Sequence, residues 1–148
     1  MTTLHYLYTP VAVYKRLDDV FQFKLDAAAD PEHHLCDAYL TEEINGLTVD
    51  WYTYGNTFIN PPTIESYPKW IEKAYHESQH GIVTVLFLLG HLNAPCIKMF
   101  CLSKGFCSPM FRARYTSGRA VTPGVFICGF GAGAEVIQQM KFNDIDDI

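Results

Sequence analysis

The sequence predicts one layered α/β domain built on a largely parallel sheet. Short apolar runs typical of strands alternate with amphipathic stretches typical of helices, and one of these runs is apolar at almost every position. Such a run indicates a strand covered on both faces, as in a parallel sheet with helices above and below it. With 148 residues, 49% of them hydrophobic, the chain can bury a core of its own.

The first half of the chain begins with a helix pattern and continues with two short strands. The apolar residues of the helix pattern recur at a spacing of three or four: Val13, Leu17, Val20 and Phe21. Thr9 stands where a helix cap is expected. Residues 23–26 predict a strand that ends in the carboxylate of Asp26, and residues 57–59 predict a second strand. Two prolines follow directly and end that strand, because proline donates no hydrogen bond to a sheet.

The second half of the chain predicts the remaining elements of the sheet. They are a helix at 67–80, the fully apolar strand at 82–89, a further apolar segment at 96–102 and a late strand at 124–130. Ligands of parallel α/β sheets bind outside the carboxyl ends of the strands. Asp26 and Asn60 each follow from such a strand, so we expect their side chains at one edge of the sheet.

Charge is distributed unevenly along the chain. The net charge is −5, yet no acidic residue lies between Glu77 and Glu135, where five Lys and Arg residues stand. This segregation favours a face that attracts phosphate, and arginine suits both phosphates and guanine edges. The alternative is a basic loop region without a partner. The candidate nucleic-acid-binding residues are Lys98, Arg112, Arg114 and Arg119.

The cysteine and histidine spacings argue against a metal site. The five cysteines are an odd number and none form a CxxC pair, so free thiols, buried or partly buried, are the better interpretation. His33 and His34 have the surroundings of an ordinary surface turn.

The sequence shows neither the basic and apolar regions of a signal peptide nor an apolar run long enough for a membrane span. We therefore expect a soluble cytoplasmic protein with no membrane partner, in the host cytoplasm if a phage encodes it.

The Asn60-Pro61-Pro62 corner offers two fixed hydrogen-bond acceptors. One is the side-chain carbonyl of Asn60 and the other is the main-chain carbonyl of Pro61, held in place because proline fixes φ. Two such acceptors suit an exocyclic amine, whose nitrogen they strengthen as a nucleophile or stabilise as it attacks an electrophilic methyl group. The alternative is a plain turn that ends a strand.

Several segments, in this order, resemble the phage-type DNA N6-adenine methyltransferases. These segments are Tyr8-Thr9-Pro10, residues 23–29, Gly46-Leu47, Trp51 and residues 58–62, followed by residues 70–74 and the apolar strand at 82–89. The resemblance covers roughly residues 6–92. It implies a class I S-adenosylmethionine-dependent methyltransferase-like (Rossmann-like) fold, which we expect to form a single domain over residues 1–148.

The resemblance also implies an activity and a set of site residues. The activity is the site-specific transfer of a methyl group from S-adenosylmethionine to N6 of an adenine in DNA, flipped out of the stack to expose that amine. Transfer is then a direct in-line displacement without a covalent enzyme intermediate or a metal. The implied catalytic residues are Asn60, Pro61, Pro62 and Thr63. The implied cofactor-binding residues are Tyr8, Thr9, Pro10, Asp26, Ala28 and Asn60.

One departure from the family pattern concerns base stacking. Thr63 stands where the family commonly has a tyrosine that stacks on the flipped base. A stacked ring contributes about 1–3 kcal/mol to base capture. Tyr67, Tyr54 and Trp70 are the candidates for a replacement ring.

Two other departures concern the cofactor loop. No glycine-rich turn follows Asp26, and the run Gly129–Gly133 is either a displaced cofactor loop or a turn before a short C-terminal helix. Only 34 positions separate Asp26 from Asn60, which favours a trimmed cofactor site and leaves no room for a separate target-recognition domain.

Two other hypotheses follow from these departures. The chain could be a catalytically weakened or inactive methyltransferase-like protein that binds DNA, cofactor or a partner protein. More distantly, it could methylate another amine that needs no aromatic clamp. The small size of the domain favours a homodimer, although no residue pattern requires it.

Overall fold

A computed structural model describes residues 9–90, 94–112 and 124–142 of the chain, and its framework is a mixed sheet with a helix on each face. The helices are α1 (Val11–Phe21) and α2 (Tyr67–Ser78). The strands are β1 (Leu25–Ala29), β2 (Tyr39–Thr41), β3 (Thr57–Ile59), β4 (Thr84–Leu89), β5 (Phe106–Cys107) and β6 (Val125–Phe130). Shorter helical segments lie at Ile97–Leu102, which has π-type hydrogen bonds, and at Ala134–Gln139.

The six strands have the order β2-β1-β3-β4-β6-β5. Strands β2, β1, β3 and β4 are parallel neighbours, whereas β6 pairs antiparallel with both β4 and β5. Because β6 runs against both of its neighbours, β5 points in the same direction as β4. The prediction of a largely parallel sheet is therefore confirmed: among the described strands five run in one direction and β6 is reversed.

Both faces of the sheet are covered. Leu17 and Phe21 of α1 pack on Phe58, Val85 and their neighbours, together with the segment Ala134–Gln139. The opposite face lies under α2 and the segment Ile97–Leu102. In β4 every residue except Leu89 is buried, which confirms the prediction of a strand covered on both sides.

The structure confirms most predicted elements, corrects two details and adds two strands that the sequence does not predict. Strands at 57–59 and 125–130 and the helix that begins at Tyr67 lie where the sequence predicts them. Strand β1, however, runs past Asp26 to Ala29, so Asp26 is its second residue. Thr9 does not cap α1, whose N-cap is Pro10 without a side-chain hydrogen bond. Strands β2 and β5 are too short, at three and two residues, to show a periodic pattern.

The cysteines agree with the sequence prediction, because all five are free thiols and three of them are buried. The glycine run at the end of β6 forms a turn, with Gly131 and Gly133 at positive φ, before the short helical segment Ala134–Gln139. Of the two alternatives for this run, the structure supports the turn. Among the described residues, no helix has the length and apolar character needed to span a membrane.

A buried carboxylate connects α2 to the loop before β3. Oε1 of Glu77 accepts hydrogen bonds from the backbone N–H groups of Trp51 and Tyr52, each at 2.9 Å. Oε2 of Glu77 lies 2.7 Å from Nζ of Lys73, which also lies over the Trp51 ring. The indole N–H of Trp51 in turn donates to the carbonyl of Gly46 at 2.8 Å. Glu77 thus compensates two backbone donors, of which the N–H of Trp51 is buried, and fixes the loop against the helix.

We expect Glu77→Ala to lower the free energy of unfolding by about 3 kcal/mol, because it leaves two backbone donors and Lys73 without their partner. Glu77→Gln keeps an acceptor and should cost roughly half as much. Glu72→Ala on the same helix is the control: its exposed side chain should change stability by less than about 0.5 kcal/mol. Urea unfolding followed by circular dichroism measures all three. Equal losses for Glu77→Ala and Glu72→Ala would contradict this role.

Candidate functional site

The topology of the sheet creates a crevice between β1 and β3. After β1 the chain moves to one side to form β2, then returns past β1 to form β3 on the other side. Such a reversal leaves a gap at the carboxyl ends of the two central strands, where α/β sheets bind their ligands. A pocket of about 980 Å³ lies there, and residues of both strand ends line it. Its volume is at the upper end of the range for small-molecule sites.

The Asn-Pro-Pro corner forms one wall of this pocket. Strand β3 ends at Ile59, and Asn60, Pro62 and Thr63 of the following corner line the pocket, while Pro61 is buried. The double proline turns the chain out of the sheet at this point, which puts Asn60 at the carboxyl edge, as the sequence predicts. Asn60 itself is half-buried.

Thr63 begins the next helical turn instead of presenting a ring. Its Oγ1 accepts a hydrogen bond from the backbone N–H of Ser66 at 3.3 Å, and the Ser66 hydroxyl donates to the Thr63 carbonyl at 2.7 Å. This is the N-cap arrangement that threonine favours. Thr63 lines the pocket, but its hydroxyl already has this structural role.

The three candidate replacement rings differ in position. The Tyr67 hydroxyl is buried and accepts a hydrogen bond from the backbone N–H of Leu89 at 2.8 Å. Tyr54 lies before β3, at the opposite end of that strand from the pocket. Trp70 lines the pocket, but it is buried and stacks at 6.1 Å on Trp51. Trp70 is therefore the one of the three that a ligand in the pocket could touch.

Asp26 supplies a buried carboxylate to the pocket. The residue is 4% exposed, and its Oδ2 accepts a hydrogen bond from the backbone N–H of Leu35 at 3.0 Å. Burial raises the pKa of Asp26 to about 6, and hydrogen bonds from Leu35 and Ala28 and the charge of His34 only partly oppose this shift. A carboxylate with a raised pKa in a pocket is a candidate for ligand binding.

Thr9 contributes an unsatisfied polar atom to the same pocket. Its side chain is 4% exposed, and Oγ1 has no hydrogen-bond partner among the described residues. A buried hydroxyl without a partner is unfavourable unless a ligand completes it. Pro10 follows as the first residue before α1, and Tyr8 lies outside the described residues.

Small residues form the floor of the pocket, where they let two backbone segments pack closely. Ala27, Ala28 and Ala29 of β1 line the pocket where the sequence lacks a glycine-rich turn. Gly46 packs directly on this strand, since a side chain there would clash with the carbonyl oxygen of Ala27. The run Gly129–Gly133 does not line the pocket, because the end of antiparallel β6 lies at the opposite edge of the sheet.

The charged lining of the pocket is acidic. Carboxylates line it without any Lys or Arg among the described lining residues: Asp26, Asp30, Glu32 and Glu42. His33 and His34 also line it, so the turn that the sequence predicts at these two residues forms part of the pocket wall. Glu42 follows strand β2, which the sequence analysis does not predict, so the position of Glu42 in the pocket could not be inferred from the sequence. Such a lining favours a ligand with positive charge over one with phosphate groups.

The predicted nucleic-acid-binding residues are only partly described. Lys98 and Arg112 are exposed. Arg112 follows Phe111, which forms a bridge to Val125 at the start of β6, so it lies at the same edge of the sheet as the pocket. Arg114 and Arg119 lie outside the described residues.

In the described parts of the chain, no three His, Cys, Asp or Glu side chains gather as a set that could hold a metal ion.

The family comparison covers the part of the chain that builds this pocket. A family model described as DNA N-6-adenine-methyltransferase (Dam) matches residues 5–96, which include α1, β1 to β4 and the Asn-Pro-Pro corner. No curated protein matches the chain.

The raised pKa of Asp26 predicts a pH-dependent stability. The native state holds this proton more tightly than the unfolded chain, so the associated stability is present below about pH 4 and is lost as the pH rises through about 6. We expect Asp26→Asn to remove this loss and to be more stable than the wild type at pH 7.5 by on the order of 2–3 kcal/mol.

Urea unfolding of both proteins from pH 4 to pH 7.5 tests this expectation. Asp19→Asn, at an exposed position on α1, controls for the loss of one negative charge. A stability difference between Asp26→Asn and the wild type that stays constant over this range would contradict the burial argument.

Proposed function

The chain belongs to the DNA N-6-adenine-methyltransferase (Dam) family, and on that basis we propose that it transfers a methyl group from S-adenosylmethionine to N6 of an adenine in DNA. One observation carries the proposal: the Asn60 corner, the Asp26 carboxylate and the Thr9 hydroxyl line one pocket at the switch point of the sheet. A class I methyltransferase fold in a single domain is part of this proposal, and the mixed six-stranded sheet is consistent with it.

The charge of the pocket fits S-adenosylmethionine. The cofactor carries a sulfonium, an ammonium and a carboxylate group, with a net positive charge and no phosphate. Four carboxylates, without a lysine or arginine among the described lining residues, therefore favour it over nucleotides. Oγ1 of Thr9, which has no partner within the described parts of the chain, offers a hydrogen bond, and the small side chain of Ala28 leaves room at the end of β1. The residues that would hold the cofactor are Thr9, Pro10, Asp26, Ala28 and Asn60, with Tyr8 preceding them in the chain.

The Asn60 corner would bind the reacting amine of the target base. The Asn60 side-chain carbonyl and the Pro61 main-chain carbonyl would accept its two N–H groups, with Pro62 completing the rigid corner. These acceptors raise the electron density on nitrogen and stabilise the positive charge that develops as it attacks. Bound S-adenosylmethionine supplies the electrophilic methyl group. The target adenine has to leave its base pair to present N6 to this corner.

The distribution of charge suggests how DNA approaches. Phosphates are repelled by the carboxylates beside β1 and β2, whereas Arg112 stands beyond β4 at the same edge of the sheet. We therefore place the DNA backbone over the β4–β6 side, with Lys98 and Arg112 among its contacts and Arg114 and Arg119 as further candidates. The cytoplasmic location and the homodimer stay predictions.

A second candidate function is a weakened or inactive methyltransferase-like protein that binds DNA, cofactor or a partner. The use of the Thr63 hydroxyl as a helix cap favours it, because the residue gives the target base no ring to stack on. Trp70 lines the pocket but is packed on Trp51, so it replaces that ring only in part.

We expect Asn60→Ala to lower methyl transfer by about 100-fold or more, because it removes an acceptor aimed at the attacking amine. The measurement follows tritiated methyl groups from S-adenosylmethionine into unmethylated DNA and identifies the product base. Unchanged cofactor affinity and unfolding free energy in the variant would separate catalysis from folding. Full activity in Asn60→Ala would overturn the role of the corner, and absence of transfer by the wild type with cofactor binding intact would favour the second candidate.

Thr63→Tyr tests whether a ring at this position limits the enzyme. We expect the variant to lose about 1 kcal/mol of stability with the helix cap and to bind adenine-containing DNA about tenfold more tightly, because it gains a stacking surface. Thr63→Ser is the matched control, since it keeps the capping hydroxyl and adds no ring. Urea unfolding and fluorescence-anisotropy titration of labelled DNA measure the two effects. Equal DNA affinity in all three proteins would show that stacking at residue 63 is irrelevant to base capture.

A further inference from the structure

The His34 imidazole is held in a fixed orientation at the pocket wall. Its ring stacks on that of Tyr39 with centroids 3.8 Å apart and planes within 6° of parallel. Its Nδ1 lies 2.8 Å from the carbonyl oxygen of Cys36. Although His34 is exposed, two contacts with different directions restrain the ring. His34 lines the pocket, whereas Tyr39 does not, so the stack ends at the pocket with the histidine.

The segment that carries His34 is also tied down at both ends. The backbone N–H of Leu35 donates to the buried Asp26 carboxylate, and the N–H of Glu32 donates to Oδ1 of Asp30 at 2.8 Å. The backbone N–H of His33 donates to the carbonyl of Asp30 at 3.0 Å. These bonds make the connection from β1 to β2 a defined turn, so the orientation of His34 is a property of the fold.

The contacts of the ring determine what it can still bind. A carbonyl oxygen only accepts hydrogen bonds, so Nδ1 carries a proton in this arrangement and Nε2 of the neutral ring is an acceptor. Tyr39 covers one face of the ring, and the other face has no aromatic partner among the described residues. An aromatic ligand such as adenine can stack on this face.

We infer that His34, backed by Tyr39, binds the adenine ring of S-adenosylmethionine. This inference rests on the proposed function. His34 belongs to the connection between β1 and β2, whereas Asn60 follows β3 on the other side of β1. The target adenine has to put its amine at Asn60, so an adenine ring at His34 belongs to the cofactor. The carboxylates of Asp30 and Glu32 beside His34 also disfavour a phosphate-bearing strand.

Calorimetric titration with S-adenosylmethionine and with S-adenosylhomocysteine tests the inference without any turnover. We expect His34→Ala to weaken the binding of both by about tenfold, as the loss of one stacked ring does. His34→Phe keeps a stacking face and should lose less than about threefold. His80→Ala, an exposed histidine that stacks on Tyr52 and does not line the pocket, is the matched control and should stay within about twofold of the wild type.

A second probe separates a contact from a structural effect. S-methylmethionine carries the sulfonium and the amino-acid part of S-adenosylmethionine but no adenine ring, and competition with S-adenosylmethionine measures its binding. We expect His34→Ala to bind it within about twofold of the wild type, because His34 stacks only on the ring. A disturbed turn would weaken the binding of both ligands alike, and that result would overturn the inference. Thermal unfolding of each variant identifies any that fails to fold, and His34→Gln, which also lacks an aromatic face, then carries the test.

Failure of this inference and failure of the proposed function give different results. No binding of S-adenosylmethionine by the wild type contradicts the proposed function. Wild-type affinity in His34→Ala, with Asn60→Ala still inactive, contradicts the inference alone. A loss of DNA affinity in His34→Ala with cofactor affinity unchanged would assign His34 to the target base and also overturn the inference.

Discussion

The hydrogen bond from the Leu35 backbone N–H to the buried Asp26 carboxylate connects the core of the sheet to the wall of the pocket. Asp26 lies in β1 level with Phe58 of β3, so its position is fixed by strand pairing on one side and by this bond on the other. Burying a carboxylate costs free energy, which one or two hydrogen bonds offset only in part. The raised pKa of Asp26 reflects that remaining cost, and a cationic ligand beside the carboxylate would lower this pKa.

The opposite face of the sheet supports this arrangement from below. Gly46 permits its loop to lie directly on the backbone of β1, and the Trp51 indole holds that loop through the Gly46 carbonyl. Glu77 secures Trp51 through its backbone N–H. The pocket floor is therefore bounded by backbone and rigid aromatic groups. The small alanine side chains of β1 leave space above this floor, although no glycine-rich turn is present.

Whether an element could be predicted from the sequence depends on its length and on whether its contacts are local in the chain. The helix at Tyr67 and strand β4 carry enough residues for a periodic or continuous apolar pattern, and both were predictable. Strand β2 has three residues and takes its identity from pairing with β1, so Glu42 and the ring of Tyr39 could not be placed. His34 looked like an exposed turn because stacking on Tyr39 and the bond to Cys36 leave no local pattern in the chain.

The separation of charge in the chain has a structural consequence at the site. Acidic residues gather beside β1 and β2, and the only exposed arginine of the described 94–112 segment stands beyond β4. Under the proposed function, the cationic cofactor and the anionic DNA strand would approach one edge of the sheet from different sides and meet at the neutral Asn60 corner between them. In the proposed reaction the methyl group would leave the sulfonium of the cofactor, whose sulfur would become a neutral thioether. The proposed transfer would thereby remove a positive charge from the acidic side and weaken the attraction that holds the spent cofactor there.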